Sequence, residues 1–426
     1  MLPTEPLEDE FVKTTKPFDI PKAVVWQAWH LVKASQGAAG ADGVSLEQFE
    51  IDLPGNLYKL WNRLSSGSYF PPPVKTVSIP KKGGGTRILN IPAVSDRVAQ
   101  MVAKLVFEPL VEPYFHEDSY GYRPNKSAHQ AIAETRKRCW CYDWVLEFDI
   151  RGLFDNIDHQ LLMKAVKKHT DNKWLLLYIE RWLKSPIQLE DGQVIYRIRG
   201  VQQGGVISPV LSNLFMHYVY DLWMSRHFPG NPICRYADDG LAHCRSEEEA
   251  VLLKAALGER LKECGLEMHP VKTKIVYCQD DLRKGKHSTT SFDFLGYTFR
   301  PRRSKNRYGK HFINFSPAMS RQAGKAIRQE VRSWNIPVRS DKSLVDLANM
   351  FRAKIQGWIN YYSKFYKSEM YMTLRQINRK LVFWATRKYK RLRRHKRRAE
   401  YWLGRIAVRF PNLFPHWRFG LKPAVE

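Results

Sequence analysis

Cysteine is scarce in this 426-residue sequence, with six in all and no C-x-x-C pair. That excludes a disulfide scaffold and makes reduced thiols the expectation. Long apolar runs are missing too: nothing approaches the roughly 20 residues a membrane span needs. The opening MLPTEPLEDEF is acidic and lacks the basic-then-apolar order of a signal peptide, so a soluble, cytoplasmic chain with no membrane partner is expected. Internal repeats are absent. Acidic residues fade in the last third, where residues 301–426 hold 31 Lys and Arg against 6 Asp and Glu, whereas the first 300 hold 38 against 36. No cysteine follows Cys278, so the final 148 residues lack the thiolates of a zinc-stabilised unit.

What is present begins with that imbalance. Hydrophobic residues make up 44% of the chain, enough for a globular protein of two to four domains. A nearly neutral body therefore precedes a strongly basic end. In RKYKRLRRHKRR (387–398), nine of twelve residues are cationic: Arg387, Lys388, Lys390, Arg391, Arg393, Arg394, Lys396, Arg397 and Arg398. A short charge run is often only a solvated helix face, but one-signed charge on this scale attracts a polyanion. The interleaved aromatics of WATRKYKRLRRHKRRAEYW add flat surfaces for bases or ribose, which points to nucleic acid.

Periodicity gives the outline. AVVWQAWHLVKAS (23–35) reads as a helix ended by the glycines of QGAAGADG. VKTVSI and TRILNI read as two strands joined by a Gly-rich turn with Lys81, Lys82 and Arg87 about it. Helical patterns follow at 96–115 and 127–139, and WVLEFDI (144–150) reads as a buried strand ending on an acid. Beyond residue 300, Leu344, Leu347, Phe351, Ile355, Trp358 and Tyr362 recur at three- and four-residue spacing, one face of a helix. A helical basic domain behind a mixed α/β body is the result.

The stretch CRYADDGLAHC (234–244) places Asp238 and Asp239 together before Gly240. Asp-Gly between strand-like runs is by itself a hairpin signal. Adjacent carboxylates also repel unless a cation makes their closeness useful, and Asp149, at the end of WVLEFDI, is the natural third acid. Hard divalent ions such as Mg²⁺ take a few carboxylates plus water and substrate phosphates. Two such ions can activate a hydroxyl and stabilise a leaving pyrophosphate, the chemistry of nucleotidyl transfer.

FDIRGLFDNIDH, GVQQGGVISPVLSNLFM, YADD, GLEMHPVKTKI and FLGYTF occur in the order found in reverse transcriptases, which this chain resembles. PKKGGGTRILNIP, SYGYRPNKSAHQA and IQGWINYY are similar to the group II intron-encoded subset, the maturases. The resemblance, from about residue 30 to past 400, implies an α+β right-hand fold. Its divisions would be an N-terminal extension (1–75), fingers and palm (76–310), a helical thumb (311–385) and a basic nucleic-acid-binding region (386–426). It implies an RNA-directed DNA polymerase using two Mg²⁺, with Mn²⁺ as substitute, and an RNA template, a DNA or RNA primer and dNTPs as partners. Group II intron RNA would be bound for splicing and mobility, in a nucleoid-associated cytoplasmic setting.

The same resemblance assigns residues. Asp149 and Asp238 would bridge the metals with the Ile150 carbonyl, and Asp239 would assist. Lys81, Arg87, Arg151, Gly152, Phe154, Gln203 and Lys274 would surround the nucleotide, although the sequence leaves Lys272 and Lys274 as alternatives beside the pyrophosphate. Phe154 would clash with a ribose 2′-OH and select dNTPs. Phe294, Leu295 and Gly296 would grip the primer. Gln202 stands where the family often has Pro, and Asn90 where Gly is frequent. A shorter type without an endonuclease is expected. Two other functions stay open: an RNA-folding maturase without polymerase activity, and a polymerase independent of any intron that serves repair or defence.

Overall fold

The computed structural model describes residues 16–80 and 86–425. Three helices come first: α1 (Lys22–Ser35), α2 (Leu46–Ile51) and α3 (Leu53–Ser65). In α1, Val25, Ala28, Trp29 and Val32 recur on one face and are buried. Ser45 and Gln48 form a reciprocal capping box on α2, and the Asp52 side chain caps α3. Strands β1 (Val74–Pro80) and β2 (Thr86–Ile91) follow, then the long helices α4 (Val94–Val111) and α5 (Ala128–Cys141).

The chain then enters β3 (Trp144–Asp149), followed by α6 (Leu153–Asn156), α7 (His159–Lys167) and α8 (Lys173–Leu183). Short strands β4 (Ile187–Gln188) and β5 (Val194–Ile195) return to β1, giving a sheet of order β2-β1-β4-β5. Helices α9 (Ser208–Met216) and α10 (Leu222–His227) are joined through a π-turn at His217–Asp221. Next come β6 (Ile233–Tyr236), β7 (Asp239–Cys244), α11 (Glu247–Glu263) and β8 (Lys274–Tyr277).

Strands β6-β7-β3-β8 form an antiparallel sheet with a core on each face. Alternation along β3 explains this: Leu146 and Phe148 enter the large cluster that includes α1, α4, α8 and α9, while Val145 enters a second cluster with Leu241 and Phe292. The N-terminal helices share the first of these cores. A third sheet, order β11-β10-β9, is built from β9 (Phe292–Phe294), β10 (Tyr297–Lys305) and β11 (His311–Met319).

The rest is helical: α12 (Arg321–Ser333), α13 (Leu344–Tyr362), α14 (Tyr371–Lys388), α15 (Lys396–Arg409) and α16 (Pro415–Arg418). Leu344, Leu347, Phe351 and Ile355 of the α13 stripe are buried, with Trp358 and Tyr362 packed at its margin. That core continues through Leu392, Ala399, Leu403 and Trp417, so the basic segment packs with the helices before it. The architecture is an α+β right hand. Among the described residues no helix is long and apolar enough to cross a membrane.

Candidate active site

The acids converge through strand register. Tyr236 pairs with Asp239, which leaves Ala237 and Asp238 as the turn between β6 and β7, with Ala237 at φ +57°. The turn is thus not the expected Asp-Gly. Gly240 lies inside β7 opposite Phe148, and a Cβ there would stand 2.1 Å from the Phe148 ring, so packing demands this glycine. Asp239 pairs with Asp149 across β7 and β3, on the face shared by Val145 and Leu241. Asp238 sits at the apex.

Burial and the charges of Asp238 and Asp149 push the Asp239 carboxyl up to about 7. The charge pulling it down is Lys272, whose Nζ donates to Asp149 Oδ2 at 2.8 Å and is more than half exposed. Of the two candidate lysines, then, Lys272 reaches the acids. Lys274 lies on β8 opposite Glu147, whose carboxyl burial pushes up to about 8. The Asp149 carbonyl accepts from His269 N at 2.8 Å, and Ile150 is buried and bridged to Met268.

Hard carboxylate oxygens whose mutual repulsion raises a pKa suit a divalent cation. Among the described residues no three His, Cys, Asp or Glu side chains form a ready cage.

The residue that sets the turn is one the motif reading missed. Arg235 is fully buried, and its guanidinium donates to both oxygens of Asp221 (2.7 and 2.6 Å), to Ser119 Oγ (2.8 Å), to Asn213 Oδ1 (3.1 Å) and to the Ala237 carbonyl (3.1 Å). A Cβ on Gly121 would lie 2.5 Å from Ala237 N, so the SYGYRP segment presses directly on the turn. The available signal was an arginine inside an apolar strand, which is tolerable only when fully paired.

Gly152, at φ +57°, opens the helix carrying Phe154, which packs partly buried against the large core. Arg151 is exposed beside Glu267 at 3.4 Å. Gln203 donates to both Asp155 oxygens (3.0 and 2.9 Å), and its carbonyl accepts from Asn90 N at 2.8 Å. Gln202, in place of proline, joins a buried chain: it donates to Ser185 Oγ and accepts from Gln100, which donates to Asp96. Burial raises the Asp96 carboxyl although Tyr69, Trp182 and Gln100 all donate to it. Lys81 lies outside the described residues; Arg87 is on β2, paired with Ile79.

Leu295 (φ +51°) and Gly296 (φ +78°) form the two-residue turn after Phe294. Tyr361 OH of α13 donates to the Leu295 carbonyl at 2.8 Å, and His129 of α5 donates to the Tyr361 carbonyl at 2.8 Å. The turn is therefore tied to α13, which α5 holds in its turn. At the basic segment, Arg387, Lys390, Arg391, Arg393, Arg394, Lys396, Arg397 and Arg398 are exposed. Lys388 differs: its Nζ donates to the Ser340 and Lys342 carbonyls, both at 2.8 Å.

Residues 79–299 match the family model described as reverse transcriptase (RNA-dependent DNA polymerase), and residues 324–402 that of the group II intron maturase-specific domain. The chain is 32% identical over 321 residues to Protein YkfC of Escherichia coli, covering 67% of this chain and 81% of that protein. It is 33% identical over 178 residues to the group II intron-encoded protein LtrA of Lactococcus lactis, covering 42% of this chain and 28% of that one. Nuclear intron maturase 1 of Arabidopsis thaliana is 29% identical over 119 residues, 28% of this chain and 16% of its own. The match thus spans under a third of the two intron-related proteins.

Proposed function

Because this chain belongs to the reverse transcriptase family and carries a group II intron maturase-specific domain behind the polymerase domain, we propose that it copies RNA into DNA and binds intron RNA. The observation carrying this is the register that sets Asp149 opposite Asp239 with Asp238 at the adjoining apex. Asp149, Asp238 and the Ile150 carbonyl would hold two Mg²⁺, which when bound supply a lowered hydroxyl pKa and charge neutralisation at the phosphates.

The protein's own share is positional. Arg235 fixes the turn, so the acids need no reorganisation as substrate arrives. Lys272 holds Asp149 in place and supplies a mobile cation on the side where charge leaves. Phe154 excludes a ribose 2′-OH, Gln203 and Asp155 brace the strand beside it, and Lys81 and Arg87 provide triphosphate contacts. The Phe294–Gly296 turn holds the primer end against α13. The exposed cations of 387–398 bind the phosphates of a structured RNA, giving affinity with strong salt dependence.

The test is primer extension on an RNA template with Mg²⁺ and either dNTPs or NTPs, comparing wild type with Asp238→Ala. Extension with dNTPs alone, lost in the variant, is expected. A folded, RNA-binding wild type that extends nothing would replace this reading with an RNA-folding maturase.

A further inference from the structure

The loop GVQQGGVI (200–207) holds three glycines, two of them at positive φ, Gly200 at +84° and Gly204 at +118°. Such a stretch has little conformational preference of its own, so its place must be imposed from outside. Two neighbours impose it. At one end Gly200 N donates to the Ile157 carbonyl and Val201 N to the Phe154 carbonyl, both at 2.7 Å. At the other end Gln100 of α4, 1% exposed, accepts at Oε1 from Val206 N (2.7 Å) and Ile207 N (3.4 Å), where α9 begins. An amide oxygen that faces two backbone N–H groups leaves one orientation for the rest of the group. Its Nε2 accordingly donates to Asp96 Oδ2 at 3.0 Å and to Gln202 Oε1 at 3.1 Å, so all four of its hydrogen-bonding positions are filled.

Asp96 is held from two further sides, since Tyr69 OH and Trp182 Nε1 both donate to its Oδ1, and Gln202 Nε2 donates on to Ser185 Oγ at 2.6 Å. The packing leaves no slack: a Cβ on Gly205 would lie 3.0 Å from both Gln100 Oε1 and Gln202 Oε1. Apolar side chains could fill this space without the cost of burying a carboxylate and two amides, so a network that fixes direction as well as volume points to a demand for position. The loop it holds is bonded to the Phe154 carbonyl at one end and, through Gln203, to the Asp155 carboxylate at its middle. A ring only partly buried, as Phe154 is, takes its height from the backbone that carries it, and that backbone is tied to the loop. We propose that Gln100, oriented by Asp96, is a positioning residue: it sets the 200–207 loop against the helix of Phe154 and thereby how sharply the site rejects a ribose. This rests on the polymerase reading above.

The experiment is single-nucleotide extension on an RNA template, with kcat and KM taken for a dNTP and for the matching NTP, in wild type, Gln100→Met, Gln202→Met and Leu381→Ala. Gln100→Met keeps the volume and loses every bond, so the dNTP KM should rise about fivefold with kcat within about twofold, and the preference for dNTP over NTP in kcat/KM should fall about tenfold. Gln202→Met removes one of the four bonds and should lower the preference about threefold. Leu381→Ala opens a cavity in the separate helical core, so it lowers stability and should keep the wild-type preference. Should Gln100→Met fail to fold, Gln202→Met carries the test. Wild-type preference in a folded glutamine variant would show only a structural role and overturn the inference, as would an equal fall in Leu381→Ala. So would a wild type that extends with dNTPs and NTPs alike. A wild type that extends with neither fails the polymerase reading itself, a distinct result.

Discussion

The acid-bearing turn at 236–240 and the basic run at 387–398 carry opposite charge and are held in opposite ways. At the turn every neighbour is fixed: Arg235 is buried and fully hydrogen-bonded, Gly240 lies under the Phe148 ring, and Gly121 presses on Ala237. In the basic run eight of the nine cations stand in solvent, while Leu392 and Ala399 between and beyond them anchor the backbone in a core. Chemistry on a phosphate needs acids set to a fraction of an ångström, which burial supplies. Holding a long polyanion needs charge density and tolerates mobility. The contrast holds if substitutions at the turn act on rate and stability while those in the run act on affinity and salt dependence.

The largest effect should come from Asp149→Asn. Losing one charge from the acid cluster should lower primer extension by roughly a thousandfold, about 4 kcal/mol of transition-state stabilisation. The variant should still melt at or above the wild-type temperature, because a like charge beside Asp239 is gone. A large drop in melting temperature would mean that the acid acts structurally. Arg235→Met comes second. It strands Asp221 as an unpaired buried charge, so denaturant titration should show a loss of about 3–5 kcal/mol. Arg235→Met with Asp221→Leu should recover much of it; failure to recover would place the effect in the lost Ala237 and Ser119 contacts instead.

These two sites also mark what the sequence could and could not reveal. The acids were legible because a turn motif and a strand-ending acid are local signals, and the helical stripe of α13 was legible from its period. The turn was misplaced by two residues, since Asp-Gly is a strong turn signal and the demand on Gly240 comes from Phe148, far away in the chain. Arg235 was missed because its four partners, Ser119, Asn213, Asp221 and Ala237, are distributed over a hundred residues and come together only in the fold. Lys272 against Lys274 could not be decided without knowing where β8 begins, for Lys274 is its first residue and turns toward Glu147. Lys388 shows the reverse error: composition counts a charge, but two carbonyls already hold it.

Acid should separate the regions further. His243, on the same strand as Asp239, is fully buried, and neither ring nitrogen has a partner. Burial, aided by the Arg138 charge, pushes its pKa down to about 3. A depressed histidine contributes stability above its unfolded pKa near 6.5 and loses it as pH falls toward 3, because the unfolded chain binds the proton first. At pH 5 the loss is about 2 kcal/mol. His243→Leu should flatten that acid limb in thermal melts between pH 7 and 5. An unchanged slope would move the acid sensitivity elsewhere.

The smallest effect belongs to the basic run, and it should take a different form. Arg394, Arg397 and Arg398 are exposed cations around the first turn of α15, away from the core residues Ala399 and Leu403. Replacing all three with alanine should leave the melting temperature within experimental scatter and weaken binding to a structured RNA about tenfold at moderate salt. Because each phosphate contact releases a counterion, the slope of log affinity against log salt should become shallower by about 2. Each single variant should take about a third of that, without regard to RNA sequence. Binding that falls while the salt slope stays fixed would mean that these arginines make shape-specific contacts, and the run would then be built more like the turn than its charge suggests.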